Sequence, residues 1–165
     1  MKKIRIAVFV LAILIPTGFL LFKKFSKHSE KSQSLNTEFS TNSVINIDKR
    51  NYECNFSHFS GKTKIDLIKP DSIKGLSIEW TDENQKISID DLTKSGIAFS
   101  EDSFLNLVVK ILDNLNSLQI SKVKDDGRYQ TYSGKVENSE FEITSERSKI
   151  LEIYIKSKNA RINFD

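Results

Sequence analysis

From Asn51 onward, apolar side chains recur at every second residue. This period of two constrains the fold more than any other feature of the chain. Tyr52, Cys54, Phe56 and His58 share one face of NYECNFSHF. Ile65 and Leu67 alternate in GKTKIDLIK, Leu76, Ile78 and Trp80 in GLSIEW, and Ile87 and Ile89 in KISID. Later come Phe141 with Ile143, Leu151 with Ile153 and Ile155, and Ile162 with Phe164. Successive side chains of a strand point to opposite faces, so alternation of this kind predicts antiparallel sheet with one face wet. Turn-forming clusters separate the runs: Ser60-Gly61, Lys69-Pro70-Asp71, the stretch from Thr81 to Asn84, Asp125-Asp126-Gly127 and Glu137-Asn138-Ser139. Their spacing predicts a meander of about eight or nine strands.

One stretch breaks the period. Ser100-Glu101-Asp102-Ser103 leads into FLNLVVKILDNLNSL, where Phe104, Val108, Ile111 and Leu115 form a stripe with Leu105, Val109 and Leu112 beside it. The spacing predicts a helix over 101–117, with Ser100 as its N-cap and two acids in its first turn. So wide an apolar arc has to be buried on most sides. The predicted fold class is therefore α+β, mainly β: a strongly curved antiparallel half barrel wrapping one central helix.

Ahead of the strands lies Ile6 to Phe22, 17 residues without a charge. As a helix it would be about 26 Å long, the short end of a membrane span. No small-x-small cleavage pattern follows it, and the only cysteine, Cys54, is too far along to be a lipidation site. We expect 1–24 to be an uncleaved signal anchor or transmembrane helix, with a cleaved signal peptide as the rival. Residues 25–45 are polar, rich in Ser, Thr and Asn, and are expected to be a flexible linker. The folded domain is placed at 46–165.

Charge follows the same division. Seven of the 25 basic residues and one of the 22 acidic ones fall in 1–31, leaving 18 and 21 for the rest. The folded part is thus slightly acidic, which argues against nucleic acid as its partner. Basic residues flank the apolar run on both sides. The short N-terminal tail favours an extracytoplasmic domain on a single-pass anchor in the cell membrane, and a cytoplasmic domain is the opposite orientation. A lone cysteine forms no internal disulfide, which suits a bacterial envelope more than a eukaryotic secreted protein.

Catalytic parts are scarce. The nucleophile elbow, the phosphate loop and paired metal-ligand motifs are all missing from the sequence, so no catalytic residue, metal or cofactor is assigned. His58 and Cys54 lie about 13 Å apart along an extended strand, too far for a thiolate–imidazole pair. Cys54 reads as a small core residue. The paired acids Asp82-Glu83, Asp90-Asp91, Glu101-Asp102 and Asp125-Asp126 read as solvated turn residues.

Strands, one buried helix, then strands again resembles the lipoprotein-carrier superfamily, the LolA/LolB-like half barrels, and among them small envelope members. The matching residues are Pro70-Asp71-Ser72-Ile73-Lys74-Gly75-Leu76 at a strand crossing, Ile87-Ser88-Ile89, Gly96-Ile97, Phe104 on the helix, Tyr132-Ser133-Gly134 before Phe141, and Ile162 with Phe164. The sequence departs from the family in having no lipobox and in placing Ser145-Glu146-Arg147-Ser148 where a hairpin glycine is usual. The resemblance implies a concave apolar interior that binds a lipid or an acylated protein. Leu76, Ile78, Trp80, Phe104, Val108, Ile111 and Phe141 would line that cavity. A filled core, with the surface or a sheet edge contacting another envelope protein, is the alternative.

Overall fold

The computed structural model describes residues 34–165, apart from 82, 83 and 98. The expected membrane segment, 1–24, and the first nine residues of the expected linker, 25–33, lie outside the described residues. Six strands come first: β1 (Phe39–Ile47), β2 (Arg50–Phe59), β3 (Lys62–Lys69), β4 (Leu76–Thr81), β5 (Gln85–Ile89) and β6 (Leu92–Ser95). One helix follows, α1 (Phe104–Asn114). Five strands complete the chain: β7 (Ile120–Asp125), β8 (Tyr129–Val136), β9 (Ser139–Glu146), β10 (Lys149–Ile155) and β11 (Ala160–Phe164).

All eleven strands belong to one antiparallel sheet, in the order β6-β5-β4-β3-β2-β1-β11-β10-β9-β8-β7. The chain meanders from the middle to one edge, crosses through α1, and meanders back from the other edge until β11 pairs with β1. The pairing is in register, with Ile45 opposite Ile162 and opposite Tyr52 on the other side.

Contacts to the helix prove the curvature. Asp113 of α1 faces His58 of β2, Asn106 meets Gln85 of β5, and Lys110 pairs with Glu137 in the β8–β9 turn. In a flat sheet β5 and β9 would stand about 34 Å apart, seven strand spacings. A helix is only about 10–12 Å across. Both flanks reach it because the sheet curls round it. The inward positions supply one core: Phe56, Ile65, Phe141, Ile143, Ile153 and Ile162 from the strands, and Leu107, Val108 and Ile111 from the helix.

A mainly β fold with one helix and a large antiparallel sheet is as expected, and its eleven strands exceed the eight or nine expected. The first added strand begins inside the predicted linker. β1 carries Thr41 and Ser43 at inward positions, so its alternation has little hydrophobic contrast, yet it is paired on both sides. Leu35 ahead of it is buried. The edge strands β6 and β7 have no buried residue, so neither leaves a periodic signal.

The helix is shorter than 101–117. Ser103, not Ser100, is its N-cap and accepts from the Asn106 amide. Ser100 instead donates its hydroxyl to Asp102, and Asp102 is held by Lys158 at 2.8 Å. Both acids lie ahead of the cap, and Asp102 is engaged by that ion pair.

Candidate functional site

Six of the seven residues expected to line a cavity, all but Leu76, fall in one buried cluster. Val108, Ile111 and Phe141 have no exposed surface, and Ile78, Trp80 and Phe104 are buried in the same cluster. Leu76 is half-buried and opposes Ile89, which in turn opposes Leu92 of the edge strand. The inner face of the sheet therefore runs out of the core along an apolar ladder, Leu76–Ile89–Leu92. Leu92 is 74% exposed.

The two sheet edges differ in chemistry. β6 presents Leu92, Thr93, Lys94 and Ser95. β7 presents Lys122, Val123, Lys124 and Asp125, and Lys122 holds Asp125 at 3.0 Å. Val123 is the exposed apolar side chain there, set between two lysines. Lysines on an edge discourage a further strand from joining it. The β7 edge is guarded on both sides of its apolar residue, and the β6 edge by Lys94 alone.

A polar pocket of about 180 Å³ opens between α1 and the ends of β3, β4 and β5. Thr63, Trp80 and Gln85 face it from the sheet, and Asn106, Val109 and Asp113 from the helix. Behind it stands His58, 2% exposed, with Nδ1 2.7 Å from the Thr63 hydroxyl and Nε2 3.5 Å from Asp113. The carboxylate side favours a proton on Nε2, so the Thr63 hydroxyl donates to Nδ1. Burial holds His58 below its usual pKa, against the opposing pull of Asp113 and Glu38, and keeps the ring neutral.

Thr63, His58 and Asp113 thus stand in the order of a nucleophile, a base and an orienting acid. Two features argue for a structural chain instead. Thr63 is 1% exposed, which leaves its hydroxyl no approach for a substrate carbonyl. The His58–Asp113 separation is longer than a working hydrogen bond. What the chain does is tie β2 and β3 to the helix.

A second notch of about 180 Å³ lies at the N-terminal end of β1, lined by Phe39, Ile150 and Phe164 with Asn36, Lys149 and Asp165. Phe39, Phe56 and Phe164 pack there ring against ring, with centroids 5.0–5.9 Å apart. Cys54 is buried as expected, and burial, then the Asp66 charge, pushes its thiol up to about 12. Among the described residues no group of three His, Cys, Asp or Glu stands close enough to hold a metal.

Sequence reasoning missed the polar pocket because its parts come from four separate elements. Only Trp80 among the seven expected lining residues belongs to it. The alternation marked His58 as inward-facing, and nothing in the sequence announced Asp113 as its partner.

No family model matches this chain, and no curated protein matches it. Among solved structures, it is similar to an uncharacterized conserved protein from Thermus thermophilus, at 10% identity and a TM-score of 0.47, over 76% of this chain and 74% of that one. It is also similar to a LolA superfamily protein from Nitrosomonas europaea, at 8% identity and a TM-score of 0.39, over 75% of this chain and 64% of that one. At that distance neither protein's properties transfer to this chain.

Proposed function

We propose that residues 34–165 form a non-catalytic binding domain of the bacterial cell envelope. The N-terminal apolar segment holds it at the membrane, and it recognises another protein by accepting an extended segment of that partner on the free β6 edge. The observation that carries this reading is the apolar Leu76–Ile89–Leu92 ladder, which leads out to a strand that has one neighbour among the described residues. Six of the seven lining candidates are buried in one cluster, which supports the reading. The pocket and the notch, at about 180 Å³ each, fall below the ~300–1,000 Å³ of ordinary ligand sites. Strand addition draws affinity from main-chain hydrogen bonds and specificity from alternate side chains. On β6 those side chains would meet the Leu76–Ile89–Leu92 ladder.

A second reading shares the same surface. The ladder is apolar along its length and leads from the edge into the core, which suits the acyl chain of a lipid or an acylated protein. The polar contacts that tie the helix to the sheet include the His58–Asp113 pair and a 3.5 Å Gln85–Asn106 bond. A lifted helix would open acyl-sized space behind them.

A photo-crosslinking amino acid placed at position 92 of the full-length chain in its host, with position 123 as the comparison edge, separates the two readings. The proposal expects a discrete protein adduct from 92 and none from 123. A lipid-mass adduct from 92 would replace it with the acyl reading, and no adduct from 92 would refute both.

A further inference from the structure

We infer that the segment accepted on β6 is β6 of a second copy of this chain, so that two domains pair edge to edge about a two-fold axis. This rests on the edge reading and names its partner. The observation that carries it is the order of side chains from the β5–β6 turn into β6. Asp90 and Asp91 form the turn, and Leu92, Thr93 and Lys94 follow. Set antiparallel to itself with Leu92 opposite Leu92, this run brings the Lys94 of each copy to the Asp90-Asp91 turn of the other. Acid meets base at both ends, and apolar meets apolar in the middle. Such a contact uses the same patch on both copies and closes at two. Complementary charge of this kind also fixes the register.

The main chain of β6 points the right way for that register. The Gly96 amide donates to the Gln85 carbonyl at 3.1 Å, in line with Ile89 opposite Leu92. Hydrogen-bonded pairs alternate along an antiparallel ladder. Residues 92, 94 and 96 therefore turn their main-chain groups toward β5, and 91, 93 and 95 turn theirs to the open edge. With Leu92 opposite Leu92, Thr93 of each copy meets Asp91 of the other, both from the outward set, for about four main-chain hydrogen bonds. The charges are available too. Among the described residues, Asp90, Asp91 and Lys94 have no ion-pair partner, whereas Lys122 on the opposite edge holds Asp125. Pairing also covers Leu92 and the 38% exposed Ile89 behind it. The β7 edge fails the same comparison. Antiparallel to itself about Val123, it would set Lys122 against Lys124, like charge opposite like.

Leu92→Cys in the full-length chain, expressed in its host and oxidised with copper phenanthroline, tests the pairing. Opposed residues of a non-hydrogen-bonded antiparallel pair have Cα atoms about 4.5 Å apart, within the span of a disulfide. A dimer should be trapped through Leu92→Cys and none through Val123→Cys, with buried Cys54 out of reach. Adding Lys94→Glu should cut the trapped fraction about tenfold, and adding Asp90→Asn with Asp91→Lys should do the same. Co-expressed with tags of different size, these two variant chains should pair with each other, because each meets the charge it lost. No dimer through Leu92→Cys overturns the proposal, and so does a dimer that survives Lys94→Glu undiminished. A photo-adduct of another protein's mass from position 92 keeps the edge reading and overturns the second copy, whereas no adduct there ends both.

Discussion

Gly134→Ala should destabilise the domain, although alanine is the better strand residue. Gly134 lies in β8 with an ordinary extended backbone, so nothing in its dihedral angles calls for glycine. It is needed for space. A Cβ there would stand 2.6 Å from Phe141 Cζ, 2.9 Å from Ile120 Cγ2 and 3.1 Å from Phe141 Cε1. Phe141 is the direct cross-strand partner of Gly134, and Ile120 its partner on the other side. The Phe141 ring is wholly buried and has nowhere to swing. Overpacking of this kind costs about 1–3 kcal/mol, and replacing a strand glycine returns about 0.5–1 kcal/mol. The net loss is about 0.5–2 kcal/mol, or about 2–8 °C in Tm for a chain of this size. Thermal unfolding followed by circular dichroism reads it. The double variant with Phe141→Leu sharpens the test. Leucine lacks the ring atoms that clash, so Phe141→Leu should cost less in the Gly134→Ala background than in the unsubstituted protein, with a coupling of at least about 0.5 kcal/mol. An unchanged or higher Tm for Gly134→Ala, or additive costs, would refute the reasoning.

Three further outcomes follow from named contacts. Ser103→Ala removes the cap on α1 and should lower stability by about 1 kcal/mol in urea unfolding, whereas Ser100→Ala should cost less. His58 is held below its usual pKa in the folded state, so between that depressed value and about 6.5 the unfolded chain binds the extra proton. Stability should therefore fall as pH drops below about 6.5, and His58→Gln should flatten that slope; an equal slope in the variant would contradict the assignment. Cys54, with its thiol pushed up to about 12, should resist alkylation at neutral pH in the native protein and react on unfolding.

The fold was legible where burial leaves alternation. Strand β9 buries every second residue from Ser139 to Ser145, and its pattern reads directly as an inward face. The same holds for Cys54, Phe56 and His58 on β2. Strand β1 was hidden because its inward face carries Thr41 and Ser43, which look like a linker until neighbours on both sides supply the hydrogen bonds. At β10 a bulge between Ile150 and Glu152 shifts the register, so Ile150 and not Leu151 is buried with Ile153 and Ile155. A bulge changes the face without changing composition, and alternation alone cannot place it. The cap of α1 is Ser103, and the Asp102 ahead of it pairs with Lys158, a partner 56 residues away that no local pattern announces. The lining residues were legible as a group, but whether they enclose space or fill it depends on how tightly the sheet curls, which no periodicity records.

Native mass spectrometry of residues 34–165, exported and purified without detergent and then incubated with lipid extract from the host envelope, tests the filled interior most directly. A bare polypeptide mass is the predicted result, before and after incubation. A stoichiometric lipid-sized adduct that survives washing would contradict the filled core and return the domain to a carrier of acyl chains.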